Sequence, residues 1–340
     1  MGERLYPLTF EPVLRDYMWG GRRLERLYGR ALPPGITAES WEVSAHPSSP
    51  TAVSHGPLRG LTLPEVVDRL GADLLGTNGQ ATARGRGFPL LVKLLDANLR
   101  LSVQVHPDDA YALAHEGGLG KTEMWYVLYA APGAGIIYGL QEGVTRESFA
   151  RAVSEGALGS VLRQIGVRAG DAICVPAGTV HALLSGLVVA EIQENSDTTY
   201  RVYDWDRPGP DGRPRPLHIA QALEVVDFGS AREAPVTPEL VEERDGVRVE
   251  RLVACDQFAV ERVRLEEGAA YAGVCDGSTF ALWGAVEGGV RLEPGDGSTW
   301  PGGAVALCTV GWALLPAALG TYILRTTEPC TLLRVVVPPR

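Results

Sequence analysis

Between Leu101 and Asp109 polar and apolar side chains alternate, and a period of two marks a half-buried β-strand. Ser102, Gln104 and His106 share one face, Leu101, Val103 and Val105 take the other, and Pro107-Asp108-Asp109 stops the run. Residues 108–115 then predict a short helix with an Asp cap. Phe88 to Asp96 is a mostly apolar strand interrupted by Lys93, and Glu123 opens a second apolar strand that continues to Tyr129. Gly170 to His181 forms a third run that turns at Pro-Ala-Gly and delivers His181 just beyond. Near the start, residues 5–20 predict a short strand and an aromatic-glycine turn at 17–21, and residues 39–46 alternate so as to lay acidic or histidine side chains at a rim.

Helical spacing is confined to a few stretches. A capping box at Thr62-Leu63-Pro64-Glu65 opens a helix with Leu63, Val66, Val67, Leu70 and Leu74 on one stripe. Residues 145–165 read as helical, with Phe149, Val153, Leu158 and Leu162 inward, and residues 217–226 as a brief helix after a surface loop at 207–216. Beyond a charged, Pro-containing linker the pattern becomes short strands separated by Gly-rich turns, an all-β sandwich or barrel. The expected division is a domain over 1–227, a linker over 228–248 and a β domain over 249–340. A faint repeat links the two: the phrase ending Val175-Pro176-Ala177-Gly178 before His181 returns as Leu315-Pro316-Ala317 before Thr321. No histidine follows His218, so the second β domain is expected to lack a metal site.

Composition narrows the class. A chain of 340 residues with 45% hydrophobic residues and a net charge of −10 reads as a soluble globular protein, with no nucleic-acid partner and no membrane association. The N-terminus carries no apolar signal core, and the five cysteines, at 174, 255, 275, 308 and 330, form no framework, which points to the reducing cytoplasm. The expected assembly is a monomer or weak homodimer.

Gln104, His106, Glu123 and His181 offer two nitrogens and two oxygens, a donor set suited to Zn²⁺, one ion per chain. Their separations form no closed motif, and in isolation Glu123 reads as an exposed carboxylate at a strand start. His46, His55, His115 and His218 lie near loops or polar helix ends and read as surface or supporting residues.

Four strings in order, LLVKLLDANLRLSVQVHPDD, GKTEMWYVL, VPAGTVHAL and EIQENSDTTYRVYDWDR, resemble the type I mannose-6-phosphate isomerases in their short bacterial form. The resemblance runs from about Leu5 to the C-terminus. It implies a mostly β fold of two cupin (jelly-roll) domains, barrel or sandwich, with a few short helices mainly in the N-terminal half. It also implies a zinc enzyme interconverting mannose 6-phosphate and fructose 6-phosphate, with Gln104, His106, Glu123 and His181 as ligands. Lys93, Ser102, Lys121, Glu191 and Arg201 match pocket positions of the family. The chain lacks the large helical insertion that longer members carry between the Glu123 and His181 regions.

Such an isomerisation moves a proton between C1 and C2 through an enediol-like species, so it needs a base, an electrophile and an anchor for a phosphorylated hexose. Glu191, at the end of the apolar run 187–190, is the candidate base, and Arg201 can offer a guanidinium to the developing charge. Lys93, Lys121 and Ser102 are candidate phosphate or hydroxyl contacts. Two other readings use the same residues: an Fe²⁺ oxygenase built on His106, Glu123 and His181, and a catalytically silent protein that binds sugar phosphates.

Overall fold

The computed structural model describes residues 4–209, 212–229 and 233–339; residues 210–211 of the expected loop and 230–232 of the expected linker lie outside them. The chain is mostly β, as expected, and divides into two compact units that are not consecutive in sequence. One comprises 14–40 and 93–236, the other 1–13, 41–92 and 237–340. The C-terminal segment therefore begins inside the expected linker, where Glu239–Arg244 is a strand, while residues 1–13 and 41–92 group with that segment and not with residues 14–40 and 93–236. Three of the four boundaries fall within strands, Val13–Arg15, Glu39–Val43 and Leu90–Ala97, where no Pro- or Gly-rich break in the sequence marks them; the fourth, at 236/237, falls in the Pro-containing stretch expected as the linker.

The unit built around 93–236 holds two open sheets. The six-stranded sheet runs in the order Ala172–Val175, Glu123–Ala130, Leu187–Glu194, Leu90–Ala97, Glu39–Val43, Val13–Arg15. The five-stranded sheet runs Tyr200–Tyr203, Val103–Val105, His181–Leu183, Gly135–Leu140, Leu162–Gly166. Alternation gives each sheet a face toward a shared core: Trp125, Val127, Ile173 and Val189 from the first meet Ile136, Tyr138 and Leu183 from the second. The opposite face of the five-stranded sheet, with Val103, Val105, Ile137 and Ala182, is covered by Phe149, Leu158, Ala222 and Val226.

Helix boundaries follow local chemistry. Asp108 caps Asp109–His115 by accepting the Tyr111 amide N–H at 2.8 Å, as its position predicts. The helix expected over 145–165 is Arg146–Ser154 followed by a short 3₁₀ turn and then the strand Leu162–Gly166, because Gly156 adopts a left-handed conformation just past the helix. Phe149, Leu158 and Leu162 are nevertheless buried as the spacing requires. Leu101 departs from its predicted face: the regular strand starts only at Val103, and Leu101 packs against the inner core.

The other unit repeats this strand order. Its six-stranded sheet, Trp312–Leu315, Ala281–Glu287, Cys330–Val336, Ala259–Leu265, Val247–Ala254, Glu239–Arg244, visits the chain in the same relative sequence as the first, and its four-stranded sheet, Ala270–Cys275, Gly320–Arg325, Val290–Pro294, Val305–Leu307, matches the second without one edge strand. The repeated phrase at Pro176 and Pro316 thus sits at corresponding turns. The helix expected from Thr62 keeps its capping box but is split at Gly71 into Leu63–Leu70 and Ala72–Ala83. No helix among the described residues is long and apolar enough to cross a membrane.

Phe149 is the anchor of the helical cover, with no exposed surface. Phe149→Ala should lower unfolding free energy by about 3–5 kcal/mol in denaturant titration, and a loss under about 1 kcal/mol would show that this cover is not part of the cooperative core.

Candidate active site

The side chains singled out from the sequence lie on the facing sides of the two sheets. Antiparallel register places Arg201, Gln104, His181 and Tyr138 in one cross-strand row. On the other sheet Glu191 stands opposite Trp125, and Gln193 opposite Glu123. Directly opposed residues share a face, so the strand order alone brings these groups together from positions 104 to 201.

His106, Glu123 and His181 are buried, and one potential ligand atom from each lies within 4.8 Å of the others. His106 Nδ1 is 2.8 Å from the Thr198 carbonyl and His181 Nδ1 is 2.8 Å from the Thr179 carbonyl. A carbonyl only accepts, so each ring carries its proton on Nδ1 and turns the Nε2 lone pair toward Glu123. The Nε2 atoms lie 3.6 and 3.3 Å from the two carboxylate oxygens, and Glu123 Oε1 is buried without a hydrogen-bond partner. Gln104 lies beside them: its amide nitrogen is 3.4 Å from His181 Nε2, and its oxygen accepts from Ser102 Oγ at 3.1 Å. Two imidazole lone pairs and an unpartnered carboxylate oxygen, each imidazole oriented by a backbone carbonyl, are the donor set and support that a divalent metal requires.

Two lysines enter this apolar interior with partners. Lys121, placed just before the strand Glu123–Ala130, donates to Glu123 Oε2 and lies 3.2 Å from His106 Nε2. Lys93 sits 3.5 Å from Glu191 and 3.8 Å from Glu39. The Trp125 indole N–H donates to Glu191 at 2.9 Å, and the same ring meets His181 edge-on at 5.4 Å between centroids. Arg201 is half-buried: its guanidinium donates to the Pro216 carbonyl at 3.0 Å, its backbone N–H reaches His218 Nδ1 at 3.2 Å, and its Nε is buried without a hydrogen-bond partner.

Electrostatics sort these groups into charged and neutral. Burial, with help from Lys121 and His181, holds His106 well below the usual imidazole range, and burial brings His181 down to about 4. Burial, then the Glu191 charge, pushes Glu123 up to about 7 against the pull of Lys121. Burial also opposes ionisation of Glu191, but Lys121, Lys93 and the Trp125 N–H outweigh it and hold the carboxyl below its ordinary value. Lys93 stays cationic for the converse reason, Glu39 and Glu191 overcoming its desolvation.

Glu123 is thus wholly buried, not the exposed strand-start carboxylate its isolated position suggests. Glu39, expected at a rim, is buried beside Lys93. Trp125 reads from the sequence as an apolar strand residue, and only its indole N–H ties it to Glu191. Of the four histidines read as surface or supporting residues, His218 touches the strand that carries Arg201, through the Arg201 backbone N–H.

A mostly β protein with one strand order used twice and a single buried His–Glu–His cluster among its described residues defines a class: duplicated β-sheet proteins whose chemistry sits in one copy. A sequence profile of the family "Phosphomannose isomerase type I, catalytic domain" matches residues 8–120. A probable mannose-6-phosphate isomerase of Bacillus subtilis, GmuF, is 42% identical over 288 residues, covering 84% of this chain and 88% of the relative. A mannose-6-phosphate isomerase of Streptococcus mutans is 41% identical over 271 residues, covering 78% and 83%. The crystal structure of a mannose 6-phosphate isomerase from Bacillus subtilis superposes with a TM-score of 0.85 at 33% identity, covering 97% of this chain and 99% of that one. The chain belongs to the type I phosphomannose isomerases.

The neutral histidines give acid sensitivity a sign. His181 protonates near 6.5 in the unfolded chain and near 4 in the fold, so between those values the unfolded state binds more protons and stability falls as pH drops. In metal-free protein, ¹⁵N NMR should show both rings as neutral Nδ1–H tautomers at pH 7 and His181 neutral at pH 5.5. An Nε2–H tautomer for either ring would overturn the ligand-ready orientation.

Proposed function

We propose that the chain interconverts D-mannose 6-phosphate and D-fructose 6-phosphate through a cis-enediol(ate), with Zn²⁺ held by His106, Glu123, His181 and Gln104. The observation that carries this reading is the pair of imidazole lone pairs aimed at a buried, unpartnered Glu123 oxygen, in a chain of this family. Gln104 joins the set by turning its amide oxygen toward the cluster in place of its nitrogen, two orientations that differ only by an amide flip. When bound, the metal would orient sugar oxygens and stabilise negative charge on them.

The chain's own residues supply the proton transfer. Glu191, held ionised by Lys93, Lys121 and the Trp125 N–H, takes the C2 proton of the aldose and returns it to C1, while the hydroxyl proton moves from O2 to O1. Arg201, with an unpartnered buried Nε in register with Gln104, holds the enediolate or a substrate oxygen. Lys93, Lys121 and Ser102 contact substrate hydroxyls or phosphate, and their charge offsets the acidity of the chain at the site. The oxygenase reading is disfavoured by the two lysines that the site carries beside its carboxylates, groups suited to an anionic sugar and without a part in oxygen chemistry. We place the protein in the cytoplasm, in keeping with its cysteine spacing and a phosphorylated substrate.

Purified protein should convert mannose 6-phosphate to fructose 6-phosphate in a coupled assay, contain about one zinc per chain, lose turnover on chelation and regain it with zinc. Full activity in rigorously metal-free protein would end the metal assignment. Glu191→Gln should keep its zinc and lose about 10²- to 10⁴-fold in kcat, with exchange of the C2 proton into deuterated solvent falling in parallel. Near-parental exchange with slow net turnover would reduce Glu191 to a positioning group.

A further inference from the structure

Outside the cluster described above, the fold buries a further carboxyl, that of Glu194. Glu194, at the end of the strand Leu187–Glu194, is 3% exposed, and its carboxyl is hydrogen-bonded to that of Asp109, the first residue of the helix Asp109–His115. Two carboxyls in hydrogen-bond contact hold one proton between them. Burial and Asp109 push Glu194 up to about 8, which keeps that proton in place at neutral pH.

The two acceptor oxygens left over grip successive parts of one loop. Asp109 Oδ1 accepts the Gly120 N–H at 3.0 Å, and Glu194 Oε2 accepts the Thr122 N–H at 2.7 Å. Between them the Lys121 N–H donates to the Pro107 carbonyl at 3.0 Å, and the Glu194 N–H returns to the Thr122 carbonyl at 3.2 Å. Gly120 is pressed so closely on the helix start that a Cβ there would lie 2.4 Å from the Asp109 nitrogen. Three consecutive amide N–H groups are therefore held, and the residue in the middle is Lys121, whose ammonium reaches Glu123 and His106.

We infer that the carboxyls of Asp109 and Glu194, accepting the amide N–H groups on either side of Lys121, form a clamp that positions Lys121 in the active site; neither touches the reacting atoms, and both are positioning residues. The inference rests on the functional reading above only for the consequence in turnover. Glu194→Gln reproduces the protonated acid, with a carbonyl for the Thr122 N–H and an amide N–H for Asp109, whereas Glu194→Ala removes both bonds.

The zinc-loaded enzyme and its Glu194→Gln and Glu194→Ala variants should be compared by steady-state kinetics at neutral pH and by amide hydrogen exchange at Gly120 and Thr122. Glu194→Gln should keep kcat within about twofold and retain amide protection. Glu194→Ala should lose about tenfold or more in kcat, with KM near parental, full zinc content and faster exchange at both amides, since small displacements of a reacting geometry are costly. Asp109→Ala, at a less buried position, carries the same expectation if Glu194→Ala does not fold. A Gln variant as impaired as the Ala variant, or an Ala variant with parental kcat and protection, would overturn the clamp. Parental protein that fails to isomerise mannose 6-phosphate would refute the functional reading instead, and the exchange measurements would still decide whether the clamp exists.

Discussion

Two backbone carbonyls, those of Thr179 and Thr198, decide what the buried interior of this protein can do. By accepting a hydrogen bond from the Nδ1–H of His181 and of His106 they fix the tautomer of both rings and leave two lone pairs facing one carboxylate. Without that commitment either ring could turn a donor toward Glu123, and the three groups would close into an ordinary hydrogen-bonded triad with no capacity left for a ligand. The flanking strands make the arrangement rigid: His181 begins one, Glu123 begins another, and Gln104 sits within a third. Position and tautomer are thus set by backbone groups, and the neutral state of both rings by burial, before any ligand arrives, which is the preorganisation that catalysis in a low-dielectric site requires.

The charges packed around this core are tolerable because each is matched locally. Isolated, a buried lysine or glutamate would neutralise itself. Here Lys93 stands between Glu39 and Glu191, so that the Lys93 cation and the Glu191 anion support one another, and Lys121 donates to Glu123. Trp125 adds a donor to Glu191 without adding charge. The resulting interior is polar along one row of each sheet and apolar on either side, where Ile173, Val175 and Leu183 exclude water from the charged groups.

The sequence made the strand carrying Gln104 and His106 legible, because alternation and the Pro107 stop are local signals, and the ordered family strings drew the distant Glu123 and His181 into the same set. It also made Lys93 conspicuous as a charge within an apolar run. What stayed hidden depends on contacts made across the chain through the backbone: the carbonyls orienting the histidines, the indole N–H on Glu191, the 54-residue separation between Glu39 and Lys93, and the loop grip of Asp109 and Glu194. The unit boundary was hidden for a related reason. Apart from the junction at 236/237, which lies in the expected linker, it cuts through continuous strands, where hydrophobic patterning has no cause to change.

The repeated strand order shows what the frame looks like when it carries no chemistry. In the second copy the strand corresponding to Glu123–Ala130 starts at Ala281, the one corresponding to His181–Leu183 carries Thr321, and the interior is filled by Trp283, Tyr271 and Tyr322 in edge-to-face contact. Gly273 has no side chain because the Tyr322 ring occupies the space where its Cβ would stand. The same scaffold has therefore been filled twice, once with charged side chains facing one another and once with interlocking rings. With the strand order used twice, one copy is free to be densely packed and the other to carry reactive groups, so that the conflict between firmness and function, which most enzymes must settle within a single core, is here divided between two.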